Sequence, residues 1–313
     1  MDVHSEKRLE GPVCLMIGNY DGVHLGHLAI VQRARALAQE HGFRCSVLSF
    51  NPHPLKVLDP ERAPKLLQTQ GQKEALLVYH GIDDYIVQPF DTDLARLSPE
   101  DFVKRLKQRI DFRFLLVGFN FRFGHQRAGD VHTLVTLGKK YGFETLVQPP
   151  FEKNGATVSS SRIRELVAQG EMKAAAELLG RPYFLEGTVG HGDHRGRTMK
   201  APTANVLVTN ELLPRFGVYA SWTLLGGSWY RSITNIGVAP TVDREGVRFE
   251  THLLDFGKNL YDKHLFVCLN AFLRPEIKFA SLEALRTRIG QDIRNRRELL
   301  DADPPTFQLD LPL

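Results

Sequence analysis

The stretch Gly18–His27, with the sequence GNYDGVHLGH, lies between an apolar run at residues 13–17 and an amphipathic run that starts near Leu28. This order predicts a strand, a tight glycine turn and the first turn of a helix. Glycines let the backbone come close to a ligand, and the N–H groups at a helix start favour an anion. His24 and His27 are three residues apart, so they share one helix face and can donate to the same polyphosphate. We therefore expect a phosphate site at this turn.

Two other interpretations of the histidine pair stay open from these residues alone. A histidine at a helix start is often only a polar cap, and two histidines on one helix face can also chelate zinc. Zinc needs a third protein ligand, and no glutamate follows in the arrangement H-E-x-x-H. The glycine-rich turn favours the phosphate interpretation over both.

The composition is typical of a globular protein of about two domains. The chain has 313 residues, of which 42% are hydrophobic and 24% are charged. Its net charge of +4 is small for this length, so we expect small anionic molecules and no nucleic acid as partners. Self-association is left open.

The cysteines and the amino terminus indicate a compartment. Cys14, Cys45 and Cys268 are odd in number and lie in apolar, strand-like runs, as buried free thiols in a reducing cytoplasm would. The amino terminus is polar, and no run of about 18 apolar residues occurs. We therefore expect a cytoplasmic protein that does not bind membranes.

In the first half, short apolar runs alternate with runs of helical period. The predicted strands are 13–17, 45–50, 85–87, 112–118 and 144–148, and the predicted helices are 28–39, 72–80, 98–109, 131–141, 161–169 and 171–179. This alternation predicts an α/β fold, with a parallel sheet covered by helices. Ligands bind beyond the carboxyl ends of such strands, which is where Gly18–His27 falls.

After Pro182 strand-like runs follow one another without helices between them. They are 184–189, 205–209, 218–225, 229–236, 248–256 and 265–273, and a final amphipathic helix is predicted over 281–300. Gly226 and Gly227 between two of the runs indicate a hairpin. We expect an antiparallel β-barrel with a helix packed on it. The predicted domains are residues 1–182 and 183–313.

Two further segments of the first half can carry chemistry. Ser159, Ser160 and Ser161 open a helix and Arg164 follows, which suits an anion, although serine is also a common helix cap. The segment 118–124, GFNFRFG, interleaves aromatics with one amide and one cation. Core packing explains its phenylalanines, and so does a flat aromatic ligand stacked at a strand end.

The second half has a comparable set of polar residues. The loop 187–197 is rich in glycine and arginine, which suits phosphates, although a surface hairpin is also glycine-rich. Thr203 and Asn205 offer a hydroxyl and an amide oxygen, which are hard ligands suited to Mg²⁺. Glu250, in a strand-like run, is either an exposed polar residue or a general base.

These motifs resemble a known family. HLGH after GNYDG, FNPHP at 50–54, GFNFRFG and SSSRIR at 159–164 resemble the HxGH nucleotidyltransferases, and the first half resembles the FMN adenylyltransferase part of bacterial bifunctional riboflavin kinase/FAD synthetase. PTAN at 202–205, NIGVAPT, LYDKH and FLRPEIKF resemble its riboflavin kinase part. The resemblance implies a Rossmann-like nucleotidyltransferase domain followed by a small antiparallel β-barrel kinase domain with a C-terminal helix.

The implied activity is flavin cofactor synthesis. ATP would phosphorylate riboflavin to FMN and then adenylylate FMN to FAD with release of pyrophosphate, each step with Mg²⁺. In the adenylyltransferase the resemblance implies that His24, His27 and Arg164 are catalytic, with the histidines holding the ATP triphosphate. The implied binding residues are Gly18, Asn19, Asp21, Gly22, Asn120, Ser159, Ser160 and Ser161. The phosphate of FMN is already a nucleophile, so this step needs positioning and charge stabilisation and no activated side chain.

In the kinase, the resemblance implies that Glu250 takes the proton of the ribityl 5′-hydroxyl. Thr203 and Asn205 would bind Mg²⁺ with ATP, and Arg274 would contact the flavin. The implied binding residues are Gly187, Gly192, Arg195, Gly196, Arg197, Thr203, Asn205 and Arg274.

Two departures from the family pattern leave alternatives open. Asn120 stands where the family often has aspartate, which removes a charge. Lys200 and Ala201 precede Pro-Thr-Ala-Asn, where the family usually has a glycine and a bulky apolar residue. The alternatives are an FAD synthetase with a kinase-impaired flavin-binding barrel, and a non-catalytic flavin-binding protein. Glu250 and the histidine pair speak against the latter, because binding alone needs neither.

Overall fold

The computed structural model describes residues 11–190, 203–238, 246–277, 281–299 and 304–306. Its contacts divide the chain into two compact units. The first takes the described residues up to Lys65 together with Gln70–Ser159, and the second takes Leu66–Thr69 together with the described residues from Ser160 onward. The segment Leu66–Thr69 joins the second unit through backbone contacts such as that from Leu212 N–H to Leu66 O, 3.2 Å.

A five-stranded parallel sheet forms the centre of the first unit. Its strands are β1 (Val13–Ile17), β2 (Arg44–Asn51), β3 (Asp84–Pro89), β4 (Phe112–Gly118) and β5 (Glu144–Gln148). Their order in the sheet is β3-β2-β1-β4-β5, and every neighbouring pair is parallel. All five residues of β1 are buried, as expected for a central strand covered on both faces. The direction of winding changes between β1 and β4, so Gly18–His27 follows β1 at the switch point where such sheets bind ligands.

Five of the six α-helices described in the first unit begin at a residue whose side chain caps them. They are α1 (Leu25–His41), α2 (Pro54–Leu58), α3 (Gln70–Tyr79), α4 (Thr92–Arg96), α5 (Pro99–Arg109) and α6 (Val131–Tyr141). Ser98 Oγ accepts the Asp101 N–H at 3.1 Å ahead of α5, with Pro99 at the first helical position. Gly42 ends α1 with a φ of 67°, a conformation that glycine adopts without strain. Two short strands, β6 (Glu152–Lys153) and β7 (Ala156–Thr157), complete the unit.

The second unit opens with two helices and continues as a closed six-stranded barrel. The helices are α7 (Ser160–Gln169) and α8 (Met172–Leu179), and the strands are β8 (Tyr183–Val189), β9 (Ala204–Val208), β10 (Gly217–Leu225), β11 (Ser228–Val238), β12 (Val247–Leu253) and β13 (His264–Arg274). The barrel order is β10-β11-β12-β9-β8-β13, and all six pairs are antiparallel. Gly226 and Gly227, with φ of 56° and 79°, form the predicted two-residue hairpin turn.

Five fully buried hydroxyl groups on β10, β11 and β12 form one hydrogen-bonded chain. It runs from Thr223 through Ser232, Ser221 and Thr234 to Thr251, and each link is 2.8 Å long. Each hydroxyl can donate once and accept, so the chain satisfies these groups without water.

Helix α9 (Leu282–Leu299) packs on the barrel through ionic and polar contacts. The Arg274 guanidinium donates to Asp292, with Nη2 to Oδ2 at 2.7 Å, and both side chains are buried. Arg296, which is fully buried, donates to Ser221 O at 3.2 Å and lies over the Trp222 ring. Buried charges need such partners, so these residues fix how the helix lies on the barrel.

The predicted fold class is confirmed, and the differences are local. Helix α1 begins at Leu25 and not at Leu28, because His24 caps it. Strand β12 ends at Leu253, since Asp255 adopts a φ of 59° that turns the chain. The division at residue 182 stays a prediction, and contacts group α7 and α8 with the barrel.

Candidate functional sites

The turn between β1 and α1 has an unusual backbone. Tyr20 and Val23 adopt φ of 50° and 38°, and Gly22 adopts 90°. A branched residue such as Val23 adopts a positive φ only when its surroundings impose it, and such outliers concentrate at functional sites. Tyr20 and Val23 are both buried, so the turn is held in this shape by the core beneath it.

His24 caps the helix with its own side chain. Its Nδ1 atom accepts the backbone N–H of His27 at 3.3 Å. An imidazole nitrogen that accepts carries no proton, so the neutral ring keeps its proton on Nε2. The helix-cap and the phosphate-donor interpretations of His24 are therefore compatible, because the ring caps the helix through Nδ1 and can donate through Nε2.

The two histidine rings lie against each other. The ring centroids of His24 and His27 are 3.7 Å apart with the planes 15° from parallel, and Tyr20 contacts the His27 ring at 5.0 Å. A Cβ atom added at Gly26 would lie 3.1 Å from His24 Cε1. A residue with a Cβ atom at position 26 would press against the His24 ring, whereas glycine lets the ring keep its position.

Beneath the turn lies a buried cation that the sequence did not single out. Lys73, on α3, is 4% exposed, and its Nζ atom lies 3.4 Å from Ser49 Oγ. Burial lowers the pKa of Lys73, and the negative charge of Asp21, which is itself buried, acts in the opposite direction. Asp21 of the turn and Lys73 therefore lie close enough for their opposite charges to interact.

Other predicted residues of the first unit surround the strand ends. His53 of the FNPHP segment lies with Nε2 3.0 Å from the side-chain amide of Asn19. Asn120 is exposed just after β4. Of the phenylalanines near it, Phe123 is buried in the core, as the core-packing interpretation expects. Phe119 is exposed, as the ligand-stacking interpretation expects.

The serine cluster opens α7. Ser160 is the first residue of this helix, one residue earlier than predicted, and Arg164 Nη1 donates to Ser161 Oγ at 3.3 Å. Ser159 is the last residue of the first unit, and the helix belongs to the second. The role of this cluster in binding ATP stays a prediction.

In the barrel, Glu250 has an amide side chain on either side. In the strand register, Glu250 of β12 pairs with Asn205 of β9 and with Asn235 of β11. Directly paired residues place their side chains on the same face of a sheet. Thr203 is two positions before Asn205, and it is exposed. The two pairings place two amides and one carboxylate in a row across β9, β12 and β11, and Thr203 precedes β9 in the chain.

Two predicted kinase residues have structural partners of their own. Gly187 lies inside β8, where an added Cβ atom would be 2.1 Å from Leu207 O, so the close approach of β9 accounts for this glycine. Arg274 is bound to Asp292 of α9. Their roles with ATP and flavin stay predictions. Gly192, Arg195, Gly196, Arg197, Lys200 and Ala201 lie outside the described residues.

Comparisons with known proteins identify the family. The family model described as FAD synthetase matches residues 6–162, and that described as riboflavin kinase matches residues 179–300. The bifunctional riboflavin kinase/FMN adenylyltransferase of Escherichia coli K12 is 36% identical over 303 residues, 96% of each chain. The chain belongs to the bifunctional riboflavin kinase/FMN adenylyltransferase family. A relative with the same description from Pseudomonas fluorescens is 39% identical, over 90% of this chain and 91% of the relative.

Membership of this family confirms the resemblance seen in the sequence. The chain is a transferase of flavin cofactor synthesis, with an FAD synthetase part followed by a riboflavin kinase part. A solved structure described as a macrolide-efflux protein from Streptococcus pneumoniae shares the fold, with a TM-score of 0.84 at 27% identity over 93% of this chain and 95% of that one. Among the described helices, none has the length and apolar character to cross a bilayer.

Three polar residues of this chain, Asn235, Arg248 and Lys73, were not predicted from the sequence. Asn235 is part of NIGVAPT, and its pairing with Glu250 requires the strand register. Arg248 is two positions before Glu250 in the same strand, so their side chains share one face of the sheet, and this spacing could have been read from the sequence. No sequence pattern indicates that Lys73 is buried, because the burial of a lysine depends on the fold.

Proposed function

We propose that this chain phosphorylates riboflavin to FMN in its barrel and adenylylates FMN to FAD at the turn Gly18–His27, using ATP in both steps. The observation that carries the proposal is the row of Asn205, Glu250 and Asn235 on one barrel face. The stacked histidine pair at the switch point of the sheet supports the second activity. A protein that only binds flavin needs neither arrangement.

In the adenylyltransferase step, a phosphate oxygen of FMN attacks the α-phosphorus of ATP, and pyrophosphate leaves. His24 and His27 donate to the triphosphate and stabilise the charge that develops on the leaving group. Glycine at 18 and 22 lets the backbone N–H groups approach the phosphates. Asn19, Asp21 and the segment 159–164 complete the proposed ATP site, and Asn120 is proposed to lie near the flavin and the nucleotide.

In the kinase step, Glu250 accepts the proton of the riboflavin 5′-hydroxyl as the oxygen attacks the γ-phosphorus of ATP and ADP leaves. Thr203 and Asn205 are proposed to hold Mg²⁺, which neutralises phosphate charge when bound. The donor set fits this ion, because the Thr203 hydroxyl and the Asn205 amide supply hard oxygen ligands, and Asn205 pairs directly with Glu250 in the strand register. Gly187, Gly192, Arg195, Gly196, Arg197 and Arg274 remain the proposed binding residues for ATP and riboflavin.

A cytoplasmic location and an absence of nucleic-acid partners are proposed as well. Cys14, Cys45 and Cys268 are buried free thiols, which supports a reducing compartment. The small net charge of +4 supports small-molecule partners.

The test is a time course in which the purified protein receives riboflavin, ATP and Mg²⁺ and the flavins are separated by chromatography. We expect FMN to appear first and FAD to follow. His27→Ala should stop the reaction at FMN, whereas Glu250→Ala should block FMN formation and still convert supplied FMN. If neither flavin nucleotide forms from either substrate, the proposal is wrong. FAD from FMN without FMN from riboflavin would favour the alternative with an impaired kinase.

A further inference from the structure

Arg248 lies on the same strand face as Glu250. The two residues are two positions apart on β12, so their side chains point to one side of the sheet. The Nε atom of Arg248 is 3.8 Å from Oε2 of Glu250, and its Nη2 atom is 3.2 Å from Oε1 of Glu276. The guanidinium group therefore stands between two carboxylates.

Glu276 is also held by the barrel, through the same oxygen atom that accepts from Arg248. Its Oε1 atom accepts from Asn235 Nδ2 at 3.4 Å. Gly237 pairs directly with Arg248 across β11 and β12, and a Cβ atom added at Gly237 would lie 1.9 Å from Glu276 Oε1. The glycine thus makes room for the carboxylate. We call Asn235, Arg248, Glu250 and Glu276 the β12 polar cluster.

Within the cluster, the two nitrogens of Arg248 differ in how well they are satisfied. Nη2 donates to Glu276 at hydrogen-bond distance. Nε is enclosed by protein atoms and has no hydrogen-bond partner among the described residues. The carboxylate of Glu250, at 3.8 Å, lies just beyond hydrogen-bond length of it. An enclosed N–H group is costly without an acceptor, so a small movement of Glu250 toward Nε is favourable.

This geometry bears on how the carboxylate of Glu250 is oriented. A carboxylate base uses one oxygen for the proton and is effective when the other oxygen is fixed. Glu276 balances the charge of Arg248, and together with Asn235 it fixes the guanidinium against the barrel. Arg248 can therefore hold one oxygen of Glu250 without itself being drawn toward the phosphates.

We propose that Arg248 is a positioning residue of the kinase step, whose Nε–H group holds Oε2 of Glu250 so that Oε1 receives the proton of the riboflavin 5′-hydroxyl. The proposal rests on the proposed role of Glu250 as the base. Arg248 acts through Glu250 and does not contact riboflavin or ATP. The simpler account is an ion pair at the barrel surface, which would leave catalysis unaffected.

The experiment compares Arg248→Met, Arg248→Lys and Glu250→Gln with the double variant Arg248→Met/Glu250→Gln. We expect Arg248→Met to lower the kinase kcat about 10- to 100-fold with KM for riboflavin and ATP nearly unchanged. Arg248→Lys should recover part of this loss, because an ammonium group can still pair with both carboxylates. In the Glu250→Gln background, Arg248→Met should cause no further loss, since the residue acts through Glu250.

The control is Arg231→Met. Arg231 is an arginine of β11 whose guanidinium lies over the Trp222 ring, outside the β12 polar cluster. It should leave kinase kcat unchanged. Adenylylation of supplied FMN reports in every variant whether the remainder of the chain is active. If Arg248→Met does not fold, Arg248→Lys carries the test. Its kinase kcat should be lower than that of the wild type, with KM nearly unchanged.

Several results would overturn the proposal. They are an unchanged kcat in Arg248→Met, a rise in KM without loss of kcat, and additive losses in the double variant. If Glu250→Gln retains full kinase activity, the role of Glu250 in the proposed function fails first, and the role of Arg248 fails with it. If Glu250→Gln retains only a small residual kinase activity and Arg248→Met lowers that residual activity further, only the Arg248 proposal fails.

Discussion

The Nδ1 atom of His24 accepts the backbone N–H of His27 at 3.3 Å, and the two rings stack with their centroids 3.7 Å apart. The same side chain therefore begins the helix and sets the position of the second histidine. Because Nδ1 is committed to the cap, the neutral ring presents Nε2–H as its donor.

Replacing His24 by asparagine separates capping from catalysis. Asparagine is among the best helix N-caps, so His24→Asn should retain thermal stability, whereas His24→Ala should lose about 1 kcal/mol. Both variants should lower FMN adenylylation about 10²- to 10³-fold, since the imidazole donor is gone. Thermal unfolding and steady-state FAD formation are the measurements. Full adenylylation by His24→Asn would show that the histidine is only a cap.

Gly26 is predicted to be needed for the His24 ring and not for the helix. A Cβ atom at this position would lie 3.1 Å from His24 Cε1. Gly26→Ala should favour the helix by roughly 0.5–1 kcal/mol and at the same time lower FAD formation about tenfold by displacing the ring. Gly71→Ala is the matched control, because Gly71 lies in α3 with no atom within 4 Å of an added Cβ. Equal activities of the two variants would contradict the expectation.

Lys73 is predicted to serve function at a cost in stability. Burial lowers its pKa from the ordinary value of 10.5, so the cation is less favoured in the folded protein than in the unfolded chain. The unfolded chain therefore binds more protons between the two pKa values, and stability rises as pH increases toward 10.5. Lys73→Met should stabilise the protein at neutral pH by about 1 kcal/mol, and the gain should shrink as pH rises.

The same variant should reduce adenylylation, since the cation near Asp21 is lost from beneath the turn. Urea unfolding at several pH values and FAD formation are the measurements. Lys104→Met, at an exposed position on α5, is the control and should change neither. A destabilised Lys73→Met protein with full adenylylation would refute both parts.

The buried hydroxyl chain gives a prediction for the barrel. Thr234 Oγ1 bonds both Ser221 and Thr251 at 2.8 Å. Thr234→Val leaves Thr251 buried with an unpaired hydroxyl, so it should lower the free energy of unfolding by about 1–3 kcal/mol. Thr234→Val/Thr251→Val removes that hydroxyl as well and should recover part of the loss. Denaturant unfolding measures both, and a double variant with fully additive losses would contradict the account.

Much of the fold could be predicted from hydrophobic periodicity. The runs 112–118, 131–141 and 144–148 coincide with β4, α6 and β5, because their apolar residues follow one period throughout. The elements α2, α4, β6 and β7 were not predicted, since they are too short to show a period. The first turn of α1 was expected within Gly18–His27, but the predicted range 28–39 began three residues after Leu25, because the cap is a histidine, which is not a usual helix start signal.

The sites could be predicted only as far as their motifs are continuous in sequence. The HLGH and PTAN motifs point to phosphate and metal chemistry by residue type alone. The pairing of Glu250 with Asn235 depends on strand register, and the burial of Lys73 depends on packing around α3. Neither follows from composition or spacing, because each is set by residues far away along the chain.

Complementation between two variants tests most directly whether one chain carries two separate active sites. His27→Ala and Glu250→Ala are each given riboflavin, ATP and Mg²⁺, alone and as a mixture. Alone, the first should stop at FMN and the second should leave riboflavin unchanged. The mixture should form FAD, because FMN made by the first variant is used by the second. If the mixture forms no FAD, or if Glu250→Ala alone forms it from riboflavin, the assignment of the two reactions to these two sites is contradicted.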